Sequence, residues 1–317
     1  MSTIFNSKKN QLIICFFVVC VYVFALISRA PSNFPLGTVV TITPGQSLLE
    51  VSTALHRTNV IGSGIIFRSV VILLGGEKKV IAGDYLLDAR EPSFAIAYRL
   101  VRGDFHFIPV KVTIPEGWNV FQIGAYLSTR MNRFDTNTFL SLAKKQEGYL
   151  FPDTYFLSPL ATPETIIRTM HDNYSKAIGS VPGLKTFNHS EKEVITMASI
   201  VEAEASTTES RRIVAGILWH RMDIGMPLQV DSTFSYINGK NTYELTASDL
   251  KIKSPYNTYI NQGLPPTPIN NPGLDSISAT INFIKTDYVY FLSGRDGVMH
   301  YAKTFDEHKH NKVVYGG

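Results

Sequence analysis

VTITPGQSLLEVSTAL (residues 40–55) and VTIPEGWNVFQIGAYL (residues 112–127) are two versions of one pattern, set 72 residues apart. Val40, Thr41 and Ile42 match Val112, Thr113 and Ile114; Gly45 matches Gly117; Leu48, Val51 and Leu55 match Val120, Ile123 and Leu127. Alternating residues, then a glycine, then apolar positions at i, i+3 and i+7 predict a strand, a turn and an amphipathic helix in each copy. Two copies are too few for a solenoid, and the chain is expected to be α+β.

Outward from the repeat, strand-like pieces are expected at residues 38–43, 64–74, 79–87 and 106–114, with Gly75-Gly76 and the three residues after it as a hairpin tip. Helical spacing takes over at residues 136–146, 163–178, 191–205 and 209–223, and a closing strand is expected at 288–292. Between them Pro255, Pro265, Pro266, Pro268 and Pro272 mark a loop-rich stretch. The strand, Pro-Gly turn and helix of residues 40–55 resemble the opening of a LysM glycan-binding module.

The N-terminal run QLIICFFVVCVYVFALIS, residues 11–28, carries no charge and is flanked by Lys8, Lys9 and Arg29. At about 1.5 Å per residue it nearly crosses a bilayer core, so a single uncleaved transmembrane anchor with a cytoplasmic N-terminus is expected. Cleavage is disfavoured because Ser28-Arg29-Ala30 is followed by Pro31. Thirty Lys and Arg against 26 Asp and Glu give +4 over 317 residues. Lys8, Lys9 and Arg29 flank the anchor, which leaves 27 against 26, or +1, for residues 30–317. That balance, with no basic stripe, speaks against nucleic acid as a partner. Both cysteines, Cys15 and Cys20, lie in the apolar run, so the remainder can form neither a disulfide framework nor a thiol site.

The segment SEKEVITMASIVEAEA (residues 190–205) carries the sharpest chemical signal. Ser190 with Glu193 is a capping box, which starts a helix at Glu191. At about 100° per residue, Glu202 falls inside the apolar arc, between Ala198 and Ile195, with Glu204 at its edge. A carboxyl group there either pairs with a cation or has its pKa raised by desolvation, and the second outcome makes a general acid usable near neutral pH. The next helix offers Arg211, Arg212, His220 and Arg221. Gln229, Asp231, Ser232 and Thr233 follow as a polar knot, and the 254–273 loop is rich in Tyr, Asn and Gln beside rigid prolines. Rings that stack and amides that bond hydroxyls suit a sugar. His300, His308 and His310 lack a matching third-ligand spacing, so neither a metal nor a cofactor is expected.

EGYLFPDTY (147–155), ASIVEAEA (198–205), GMPLQVDSTFSY (225–236), SPYNTY with GLPPTPINNPG (254–273) and HYAKTFDEH (300–308) resemble, in order and spacing, the endolytic murein transglycosylases, the YceG-like family. The resemblance spans nearly the whole chain. It implies Glu202 as catalytic acid and Glu204, Gln229, Asp231, Thr233, Tyr256 and Asn257 as substrate-binding residues. It implies internal cleavage of peptidoglycan glycan strands with 1,6-anhydro-N-acetylmuramic ends, the sugar's own C6 hydroxyl attacking C1, and penicillin-binding proteins as neighbours. The expected layout is then a cytoplasmic stretch at 1–10, an anchor at 11–28, a LysM-like region at 31–135 and a mixed α/β catalytic domain at 136–317. The protein would sit in the bacterial inner membrane with its C-terminal part periplasmic. Where the family has IVEKET, Asn-Arg-Leu and Asp-Pro-Thr, this chain has IVEAEA, His220-Arg221-Met222 and Asp231-Ser232-Thr233.

Two rival readings are a muramidase-type hydrolase pairing Glu202 with Asp153 or Asp231, and a non-catalytic glycan-binding scaffold. An open groove holding Glu202, Gln229 and Asn257 would favour the enzyme. A Glu202 buried against an arginine, far from any cleft, would favour the scaffold.

Overall fold

The computed structural model describes residues 8–76, 80–131 and 134–316. The chain divides into two compact units, residues 1–108 and 109–317. The second copy of the repeat pairs its strand with a later one and so belongs to the larger unit.

In the first unit α1 (Lys8–Ile27) precedes β1 (Val39–Ile42), α2 (Leu48–Arg57), α3 (Gly64–Leu73), β2 (Gly83–Leu86) and α4 (Ser93–Arg102). β1 and β2 are antiparallel, with Val40 opposite Tyr85. Val51, Leu55, Phe67, Val71, Tyr85, Ile96 and Leu100 form its core. The strand expected at 64–74 is instead α3. Phe67 and Val71, four residues apart, are the buried pair, and Ser63 caps the first turn. A short continuous apolar run fits a buried strand or a helix equally well, and periodicity alone does not decide between them. The hairpin tip expected after Gly75-Gly76 runs into residues 77–79, outside the described residues.

The anchor expected over 11–28 also needs correction: among the described residues no helix is long and apolar enough to cross a membrane. α1 begins with Lys8, Lys9, Asn10 and Gln11. The apolar remainder, 12–27, spans about 24 Å against a hydrocarbon core of about 30 Å. Its described apolar side chains, including Leu12, Phe16, Phe17 and Val18, are exposed.

The larger unit contains β3 (Val110–Thr113), α5 (Val120–Arg130), α6 (Thr136–Ala143), β4 (Thr154–Leu157), α7 (Pro163–Ile178), α8 (Glu191–Glu204), α9 (Thr208–Asp223), α10 (Thr233–Ile237), α11 (Leu274–Ile281), β5 (Tyr290–Ser293), β6 (Met299–Ala302) and α12 (Phe305–Tyr315). β3 pairs antiparallel with β4, and β5 with β6. Each copy of the repeat thus sits in its own unit as strand, left-handed glycine and capped helix. Gly45 has φ +85° and Gly117 φ +76°, and capping boxes at Ser47 and Asn119 start α2 and α5. α8, α9 and α11 pack on one another. As a result α8 is buried on every side from Val194 to Val201, not along one stripe, and Glu202 lies where the helix leaves the core.

Candidate functional site

Glu202 sits in the last turn of α8 with its side chain 6 % exposed. Arg211 of α9 donates from Nη2 to its Oε1 at 2.7 Å, and the Gly273 N–H donates to Oε2 at 2.9 Å. Arg211 also donates from Nη1 to Asp275 Oδ2 at 2.7 Å and from Nε to the Ala205 carbonyl at 3.1 Å. Of the two outcomes open to a carboxyl group on this helix, pairing with a cation is the observed one.

A third carboxyl group stands beside this pair. Glu116 belongs to the turn between β3 and α5, in the second copy of the repeat. Its neighbour Gly117 packs so closely that a Cβ there would touch Glu202 Cγ at 3.4 Å. A Cβ on Gly273 would fall 2.0 Å from Glu116 Oε1, so the glycine that donates to Glu202 also makes room for Glu116. Glu116 is exposed and makes no hydrogen bond or ion pair among the described residues. Desolvation first, then the charge of Glu202, push its pKa upward against the pull of Arg211.

The 268–273 strap joins these parts. Asn270 donates to the Ser199 carbonyl of α8 at 2.8 Å. The fully buried Asn271 accepts from the Gly148 and Leu150 N–H groups and donates to the Trp118 carbonyl and to Glu147 Oε1. Its own carbonyl accepts from Gly117 N–H at 2.9 Å. Sequence reasoning placed Glu147 and Asn271 inside motif blocks without assigning them a role, and it missed Glu116 and Asp275. Nothing in the sequence signals that a turn 86 residues before Glu202 ends beside it.

The other expected site residues gather elsewhere. Glu204, two residues on, accepts from Ser232 N–H at 3.4 Å. Burial raises its pKa, and the charge of Asp231 adds to the rise. Asp231 accepts from the Tyr259 hydroxyl at 2.5 Å. Thr233 is buried, with its hydroxyl on the Val230 carbonyl at 3.0 Å. Asn257 is fully buried and clamps its own loop, donating to the Leu250 and Ile252 carbonyls and accepting from Tyr259 N–H. Tyr256 rests against Tyr236, ring centroids 4.9 Å apart, with its hydroxyl on Thr267. Gln229 is exposed with φ +47°, a backbone strain that costs on the order of 1–3 kcal/mol and is common at binding loops. Asp153 has its carboxylate engaged by Thr154 N–H and Asn173. Clefts of about 400 and 320 Å³ lie against α6 and α7 and against α2 and α3, and neither includes Glu202.

A buried helix ending in a carboxylate, with an arginine and two further carboxyl groups around it, is an arrangement suited to acid–base chemistry on an oxygen-linked substrate. Residues 40–313 match the YceG-like family, and the chain belongs to that family. It is 32 % identical over 304 residues to the endolytic murein transglycosylase of Bacillus subtilis (strain 168), covering 87 % of this chain and 84 % of that one. It is 30 % identical over 335 residues to the endolytic murein transglycosylase of Streptococcus pneumoniae (strain D39), covering 92 % of this chain but 61 % of that longer one. The crystal structure of a yceG-like protein from Listeria monocytogenes superposes with a TM-score of 0.58 at 29 % identity, covering 86 % of this chain and 98 % of that one.

Proposed function

We propose that this protein is a peptidoglycan lytic transglycosylase that cuts glycan strands internally at the β-1,4 bond from N-acetylmuramic acid (MurNAc) to N-acetylglucosamine (GlcNAc). The cut would leave 1,6-anhydro-MurNAc ends and terminate nascent strands. The relatives named endolytic murein transglycosylases support this reading, together with Glu202 standing at the end of a buried helix beside exposed polar groups. Because the sugar's own C6 hydroxyl attacks C1, no second carboxylate is needed as nucleophile, unlike in a retaining hydrolase. Glu202 is the catalytic carboxyl group. Arg211 and Gly273 N–H orient it, and Glu204, Gln229, Asp231, Thr233, Tyr256 and Asn257 shape the surrounding loops.

The protein would act at the cell wall, on the outer side of the bacterial inner membrane, with penicillin-binding proteins as neighbours. The LysM-like first unit would hold the strand. A second reading, the non-catalytic scaffold, draws on the ion pair between Arg211 and Glu202.

Incubation of the protein with purified peptidoglycan, followed by mass analysis of the ends, separates the readings. Anhydro ends are expected; reducing ends would mean a hydrolase, and no new ends a scaffold. Glu202→Gln should abolish cleavage while glycan binding persists, and a variant that still cleaves normally would remove Glu202 from the chemistry.

A further inference from the structure

Both oxygens of Glu202 are engaged by donors, one by the Arg211 guanidinium and one by Gly273 N–H. With both oxygens accepting hydrogen bonds, Glu202 presents no O–H to a leaving oxygen, which therefore needs another donor. We infer that Glu116, from the turn of the second repeat copy, is that donor, and that Glu202 is the base for the C6 hydroxyl. The inference rests on the transglycosylase reading and divides between two carboxyl groups the work assigned above to one.

The geometry supports the division. Glu116 reaches the space above Gly273 while Gly117 packs on the Glu202 side chain, so the two carboxyl groups flank one glycine. Glu116 is exposed and, among the described residues, has no hydrogen-bond partner, as a group that must meet substrate should be. The charged groups facing it are Glu202, Asp275 and Arg211. Desolvation and the two carboxylates favour its protonated form, and Arg211 opposes them.

The step balances. The MurNAc C1 to GlcNAc O4 bond breaks as the C1 to O6 bond forms within the same MurNAc. The Glu116 proton passes to O4, and the O6 proton passes to Glu202. Arg211 keeps its second partner, Asp275, when Glu202 is neutralised. Exchange with water then returns a proton to Glu116 and removes one from Glu202.

The test uses the full-length protein and two substrates, natural glycan strands and a MurNAc-terminated chain carrying a 2,4-dinitrophenyl leaving group, which departs without protonation. On natural strands Glu116→Gln should lower the rate at least about 100-fold, the usual range for a lost general acid. On the dinitrophenyl substrate it should stay within about 3-fold of wild type, because no acid is required there. Glu202→Gln should fail on both. An unchanged melting temperature for Glu116→Gln, expected from its exposed and unbonded carboxyl group, rules out misfolding. Equal losses on both substrates, or near wild-type cleavage of natural strands, would overturn the role of Glu116. If wild type yields no anhydro product from either substrate, the transglycosylase reading itself falls, an outcome distinct from a failure of Glu116 alone.

Discussion

Glu147 is 1 % exposed, and burial lifts its carboxyl pKa to about 8, although Val120, Gly148, Asn271 and Tyr236 all offer it hydrogen bonds. The group is therefore neutral in the folded protein near pH 7. Its folded value lies above its ordinary value of 4.5. Its contribution to stability is thus intact below about pH 4.5 and is lost as pH rises to about 8. The size of that loss is on the order of a few kcal/mol. Glu147→Gln mimics the neutral carboxyl group, so thermal unfolding of this variant should fall less between pH 5 and pH 8.5 than that of wild type. Equal pH dependence in the two proteins would mean that Glu147 ionises without penalty. At this scale the burial of the Glu202 side chain was legible, because a glutamate inside an apolar helix is visible in one dimension. The sequence was a poor guide to Glu147, which follows a polar run and looks like surface until Asn271, 124 residues away, is seen to close over it.

The 268–273 strap is the element that turns separate motifs into one site. Asn271 satisfies two N–H groups, a carbonyl and a carboxyl group in a fully buried position. Asn271→Ala would leave these unpaired, at about 1–3 kcal/mol for each orphaned group. A melting temperature lower by several degrees is expected, together with a loss of cleavage exceeding the loss of folded protein, because the same side chain holds the Trp118 carbonyl next to the Gly117 turn. Gly273→Ala is sharper: its Cβ would displace Glu116, so activity should fall while stability changes little. Both variants are checked by calorimetry beside end analysis. The helices that frame the strap were legible. The Ser190 capping box set the start of α8, the apolar spacing placed α7 at 163–178, and both are observed. The strap's contacts were not legible, because hydrogen bonds between residues more than a hundred positions apart leave no local pattern. The α3 segment was misread for a different reason: ten residues of mostly apolar chain have no periodicity to separate strand from helix.

At the scale of the whole molecule, every group assigned to the chemistry comes from the larger unit. Glu116, Glu202, Arg211, Gly273 and Asp275 all follow residue 109, and the cores built on Val112, Met197 and Val194 draw only on that unit. The first unit has a separate core built on Val51, Phe67 and Ile96. Two units with separate cores can unfold separately, and a chemistry contained in one of them does not require the other for the bond-breaking step. A chain of residues 109–317 is therefore expected to fold cooperatively and to keep the kcat of the full protein within a few-fold. If the first unit binds glycan, its removal should appear instead as a higher KM on long strands, with little change on short ones, since only interactions outside the reacting bond are lost. Steady-state kinetics on strands of graded length distinguish these cases. A collapse of kcat in a well-folded 109–317 chain would mean that the first unit takes part in the chemistry, and the assignment of the five residues as a self-sufficient site would have to be given up.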